Sequence, residues 1–120
     1  MKVKLGVIAV EDYERARTFY IEKLGCELVS DSEFGEDSRW IELKLPGGDT
    51  HIALFTPPGQ TFQPNPCSNI AFGCDDMDKK YEELRAHGVK FVQPPRKEKW
   101  GVSSLFQDSE GNTFCLSSEN

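Results

Sequence analysis

Positive charge is short in this sequence: 14 Lys and Arg stand against 20 Asp and Glu, a formal net charge of −6 over 120 residues. Nucleic-acid binders take most of their affinity from a basic surface, so that class is set aside. The one local basic cluster, Arg96, Lys97 and Lys99 around Glu98, reads as a solvated loop. No apolar run is long enough to span a membrane, and the opening LGVIAV lacks a cleavage site, so neither a span nor a leader is expected. The four cysteines, Cys26, Cys67, Cys74 and Cys115, have no CxxC spacing, which points to thiols in a reducing cytoplasm. Ser103 and Ser104 lack a GxSxG setting. Gly47-Gly48 precede a strand rather than a helix, so they form a turn and not a phosphate cradle.

What the chain does contain is a near-repetition. VEDYERARTFYIEKLGCELV, Val10 to Val29, is echoed by CDDMDKKYEELRAHGVKFV, Cys74 to Val92. Asp12 answers to Asp76 at an offset of 64, and Gly25 to Gly88 at 63, so the second copy is one residue shorter. A period near half the chain implies two similar supersecondary units. In each copy an Asp caps a helix, an apolar stripe follows, and a glycine closes it. The stripes are Tyr13, Ala16, Phe19, Tyr20 and Leu24, then Met77, Tyr81 and Leu84.

The pattern predicts strands over residues 2–10, 27–32, 39–45 and 50–56 around the first helix. Around the second helix, 77–87, it predicts strands over 69–74, 89–93, 102–107 and 113–117. Each half is then a βαβββ module, about 1–56 and about 67–118 of one domain spanning 1–120. They are joined by a stiff linker, 57–66, that carries Pro57, Pro58, Pro64 and Pro66. The fold class is α+β.

Val10-x-Asp12, Phe19-Tyr20 and Leu24-Gly25 near the start, with Asp108-x-x-Gly111-Asn112 near the end, resemble the vicinal oxygen chelate superfamily. That group includes glyoxalase I, extradiol dioxygenases and bleomycin-resistance proteins, and the likeness covers essentially the whole chain. It implies paired βαβββ modules that form a curved mixed sheet around a cleft, usually completed by homodimerisation.

Strand alternation assigns the residues of such a cleft. Leu5, Val7 and Ala9 face it from the first strand, and His51, Ala53 and Phe55 from the fourth. Asn69, Ala71 and Gly73 do so in the second module, with Thr113, Cys115 and Ser117 from the last strand. Phe106, which shares a face with Ser104, is placed there too. Trp100 is expected on a lid, and Trp40 is a further aromatic candidate. Metal-using members of the superfamily carry a His, Glu or Gln at four positions. Here these positions fall on Leu5, Ala53, Asn69 and Cys115, which cannot supply the three or so donors that a catalytic ion needs. No metal or other cofactor is expected.

His51 has two readings: a strand histidine hydrogen-bonded near the turn after Asp49, or a cleft residue suited to proton transfer or to an acidic ligand. His87, just before Gly88, reads as a helix-end residue favoured by the dipole. The resemblance therefore implies a metal-free binder of a small organic molecule in a homodimer, with no catalytic residue assigned. The alternative is a glyoxalase-like lyase, of the lactoylglutathione lyase type, or a related isomerase or dioxygenase, with a displaced metal set using His51 and Glu42. A third reading is an interaction domain whose cleft is filled by its own side chains.

Overall fold

The computed structural model describes residues 1–119. Two compact units follow one another, Met1–Pro64 and the segment from Asn65 onward. In the first, β1 (Gly6–Ile8) leads to α1 (Tyr13–Thr18), which continues as a π-helical turn over Phe19–Lys23. Then come β2 (Glu27–Glu33), β3 (Arg39–Lys44) and β4 (His51–Leu54). The second unit holds β5 (Ala71–Gly73), α2 (Met77–Ala86), β6 (Lys90–Glu98), β7 (Gly101–Gln107) and β8 (Thr113–Ser118). The strand orders are β1-β4-β3-β2 and β5-β8-β7-β6. In both sheets the first strand runs parallel to the last and the other pairs are antiparallel. Both units are thus βαβββ, each with its own four-stranded mixed sheet.

The helix caps follow the sequence pattern. Asp12 accepts from the Arg15 amide at 3.0 Å, and Asp76 from the Lys79 amide at 3.2 Å. Gly25 and Gly88 both take positive φ, +80° and +87°, where a side chain would be strained. The one-residue mismatch between the copies can be located. Buried Tyr20 answers to buried Leu84, and buried Cys26 to buried Val89. Cys26 N donates to Tyr20 O, and Val89 N to Leu84 O, both at 3.0 Å. The first of these bonds spans six residues and the second five, so the extra residue lies between Tyr20 and Cys26. The π-helical turn absorbs it, with Leu24 N donating to Phe19 O five residues back.

The likeness extends into the strands. The ladder between β2 and β3 steps over Val29, and that between β6 and β7 steps over Val92. These bulges stand 63 residues apart, the same offset as the closing glycines.

Each helix covers one sheet face. In the first unit Ile8, Val10, Ile41, Leu43, Ile52 and Leu54 are buried together with Tyr13, Ala16 and Tyr20. At the margin of this core Asp31 accepts from Arg39 Nε at 3.1 Å and from Arg17 Nη1, while Arg39 also reaches Glu14. The hydrogen bond from Arg39, supported by Arg17, holds the Asp31 carboxyl below its ordinary value. In the second unit the Phe106 ring packs against Phe72, Phe91 and Phe114, with centroids 5.7–5.9 Å apart.

Several expected elements differ. β1 and β5 are three-residue strands, so Leu5 and Asn69 precede them rather than lie in them. β6 does not stop at Gln93 but runs through Pro94-Pro95 to Glu98, so Arg96, Lys97 and Glu98 of the basic cluster lie in a strand and Lys99 opens the turn after it. Two prolines are tolerated there because β6 is an edge strand and its ladder skips from Gln93 to Arg96.

Candidate functional site

The sheet faces turned away from the helices carry the candidate residues, and register fixes which side chains share them. In the first sheet Val7, Ala53, Glu42 and Ser30 form one row across the four strands, with His51 and Lys44 in the next row. Val7 is 50% exposed while its neighbour Ile8 is 4% exposed, which separates the open face from the core. Ala53 is small and fully screened beneath this row.

His51 Nδ1 lies 2.7 Å from Glu42 Oε2. The bond to His51 holds the Glu42 carboxyl below its ordinary range even though burial opposes this. A carboxylate only accepts, so Nδ1 carries the hydrogen, and when the ring is neutral Nε2 is left as an acceptor. His51 shares the face of Ala53, and its hydrogen-bond partner lies across the ladder on β3 rather than in the turn after Asp49. The register of Glu42 with Ala53 places it on the same face, beside His51.

The Trp40 ring packs on Phe55 at 5.2 Å, and Phe55 meets Phe34 edge-on at 4.9 Å. Phe34 is 52% exposed. Sequence reasoning missed it because it sits in a polar turn, where its only signal was being the sole aromatic among acids and glycines. The open face of the first sheet therefore runs from the hydrogen-bonded His51–Glu42 pair to three aromatic rings.

The second sheet offers less. Ala71 and Cys115 are Cα partners, and Leu105 joins their row; Gly73, Ser117 and Ser103 form the next. Burial pushes the Cys115 thiol up in pKa, and likewise those of Cys74 and Cys26, the last to about 11. These are poor nucleophiles at neutral pH. Trp100 sits at the two-residue turn between β6 and β7, 58% exposed.

Two expected site residues belong elsewhere. Ser104 and Phe106 are buried on the helix side. Ser104 Oγ donates to Leu116 O at 3.2 Å and lies 3.6 Å from Met77 Sδ of α2, and Phe106 fills the aromatic core. The reason is register: Ser104 pairs with Leu116 and Phe106 with Phe114, so they share the face of those core residues. Leu105, whose apolar character suggested the core, takes the open face instead.

Two concavities of the first unit lie away from this face. A cavity of about 460 Å³ is bounded by Val10, Tyr13, Asp37, Thr56, Pro58 and Phe62, and a shallower groove of about 740 Å³ by Asp12, Glu33 and Arg39 among others.

The chain matches the family model described as the Glyoxalase/Bleomycin resistance protein/Dioxygenase superfamily over residues 3–116, and it belongs to that superfamily. Among similar proteins, the uncharacterized YetH of Bacillus subtilis (strain 168) is 30% identical over 115 residues, covering 94% of this chain and 96% of that protein. A superfamily member from Sphaerobacter thermophilus DSM 20745 superposes with a TM-score of 0.86 at 31% identity, covering 99% of this chain and 98% of that one. TnmS3, an antibiotic binding protein from Streptomyces sp. CB03234, gives a TM-score of 0.80 at 29% identity, with coverage of 100% and 97%.

The residues do not fit the divalent ion that the superfamily's metal-using members hold. Leu5 and Ala53 carry no donor atom, and Cys115 is a thiol kept protonated by burial. Among the described residues, no three His, Cys, Asp or Glu side chains gather to hold an ion. His51 and Glu42 are two donors already bonded to each other.

Proposed function

We infer that this protein is a metal-free binder of a small organic molecule, using the open sheet faces as its recognition surface and acting as a cytoplasmic homodimer. The observation that carries the reading is the open face of the first sheet, where Trp40, Phe55 and Phe34 form an aromatic wall beside the His51–Glu42 pair. An aromatic surface with a few fixed polar groups is the usual make-up of a small-molecule site. The similarity to an antibiotic binding protein supports the same class of role. Among the described residues no helix is long and apolar enough to cross a membrane.

The runner-up, a glyoxalase-like lyase, draws on His51 and Glu42 standing together, but it needs a third donor that neither sheet face supplies. Native mass spectrometry of the purified protein, with elemental analysis for Ni, Zn, Fe and Mn, tests both. A metal-free dimer carrying an organic adduct is expected. One ion per chain, with turnover of a thiohemiacetal that is lost in His51→Ala, overturns the binder and establishes the lyase.

A further inference from the structure

We propose that the ligand is a planar aromatic molecule bearing a phenol-type hydroxyl, with its rings on the Trp40–Phe55–Phe34 surface and its hydroxyl donating to His51 Nε2. The inference rests on the small-molecule reading above and names the ligand class for the same face.

Three observations carry it. First, the His51 ring is fixed rather than free. Its Nδ1 is committed to Glu42 at 2.7 Å, and its side chain is 31% exposed, so the ring nitrogen left over for a ligand is Nε2, an acceptor whenever the ring is neutral. An acceptor selects molecules that donate, and a hydroxyl on an aromatic ring is a stronger donor than an aliphatic one. Second, the acceptor is tied to the aromatic surface. Glu42, which holds His51 at 2.7 Å, and Trp40 lie two residues apart on β3 and share its open face, so one strand places both the partner of the acceptor and the first ring of the platform. Third, the dimensions suit more than one fused ring. His51 and Phe55 face the same way four residues apart, about 13 Å along an extended chain. Trp40 stands two residues from Glu42 on the neighbouring strand. A flat fused-ring system bridges that interval in contact with aromatic faces, whereas an aliphatic chain would forgo the ring–ring interactions.

The test uses 2-naphthol and its methyl ether, 2-methoxynaphthalene, which share shape and ring system and differ in the donor hydrogen. Each is titrated into the full-length protein and followed by the probe's own fluorescence. The naphthol is expected to bind about tenfold more tightly than the ether, the worth of one hydrogen bond that would otherwise be left unmade. His51→Ala should erase that preference, so that the variant binds naphthol and ether equally, and Phe55→Ala should weaken both probes while keeping the preference. His51→Phe, which keeps a ring of similar size without the acceptor, gives the same answer should the alanine variant fold poorly.

Equal affinities in the native protein, or a preference that survives both His51 variants, overturn the proposal and leave the small-molecule reading standing. Failure of the native protein to bind either probe also overturns the proposal, and the small-molecule reading is then decided by the organic adduct in the native mass spectrum.

Discussion

The two halves of this chain share a strand order, an aspartate cap, a closing glycine and a bulge, yet their open faces differ. The first presents histidine, glutamate, tryptophan and phenylalanine; the second presents Ala71, Gly73, Ser103, Ser117 and a thiol suppressed by burial. Their buried faces follow one plan, an amphipathic helix laid over alternate apolar strand residues. The constraint that keeps the halves alike thus acts on the side that packs, where a lost side chain costs stability directly. The side away from the helix has been free to diverge, and the chemistry has collected in the first half.

The largest effect expected of any single change sharpens the division between faces. Phe106→Ala should cost about 3–5 kcal/mol, as for a large buried aromatic, whereas its chain neighbour Leu105→Ala on the open face should cost about 1 kcal/mol. Urea denaturation of both variants gives the comparison, and equal losses would break the face assignment.

Next comes Asp31, which bridges Arg17 and Arg39 in the first half; the corresponding stretch of the second half is Pro94-Pro95. Asp31→Ala should lose about 2–3 kcal/mol, since it strips charged hydrogen bonds from a largely screened cluster. This loss depends on pH in a definite direction. The folded carboxyl titrates below its unfolded value of about 3.9, so its stabilisation is complete above that pH and fades as pH falls through the lower folded value. Denaturation at neutral pH and again at about pH 3 should show the gap between Asp31→Ala and the native chain narrowing. A gap that stays constant or widens in acid would show that the carboxylate charge is not the cause.

Smaller still is the stability cost of His51→Ala, below about 1 kcal/mol for a pair that is partly in water. A large cost would make the pair a structural clamp and weaken the contrast between a packing face and a recognition face. The smallest effect tests the repeat itself. Deleting Glu22, an exposed residue of the π-helical turn, should give the first helix the length of the second and change stability by no more than about 1 kcal/mol. Collapse of the fold would mean that the turn is required and not merely an extra residue accommodated.

Much of the architecture was legible because it is written in short-range signals. Asp12, Asp76, Gly25 and Gly88 each satisfy a local backbone need, and the apolar stripes have helical period. The sequence also registered the extra residue, as the change of offset from 64 to 63. It did not show where that residue goes, because a π-helical turn has no composition of its own. The misplaced residues have a common cause. Ser104 and Phe106 were assigned by alternation alone, which fixes that neighbours face opposite ways but not which face is which. Only pairing with Leu116 and Phe114 settles that, and pairing is a property of two strands. The His51–Glu42 pair was illegible for the same reason: its members come from different strands, and the partner of His51 depends on register. Proline likewise misled at β6, where edge position removed the penalty that an inner strand would impose.

That edge has a further consequence. Pro94 and Pro95 carry no amide hydrogen, and the bulge at Val92 bends the same strand, so the outer margin of the second sheet offers a broken row of donors. An incoming strand cannot zip along it. The feature that defeats prediction of β6 thus guards this sheet against edge-to-edge polymerisation, both in the finished fold and in any partly assembled form that already has its strands. A homodimer of this chain would have to be built from other surfaces.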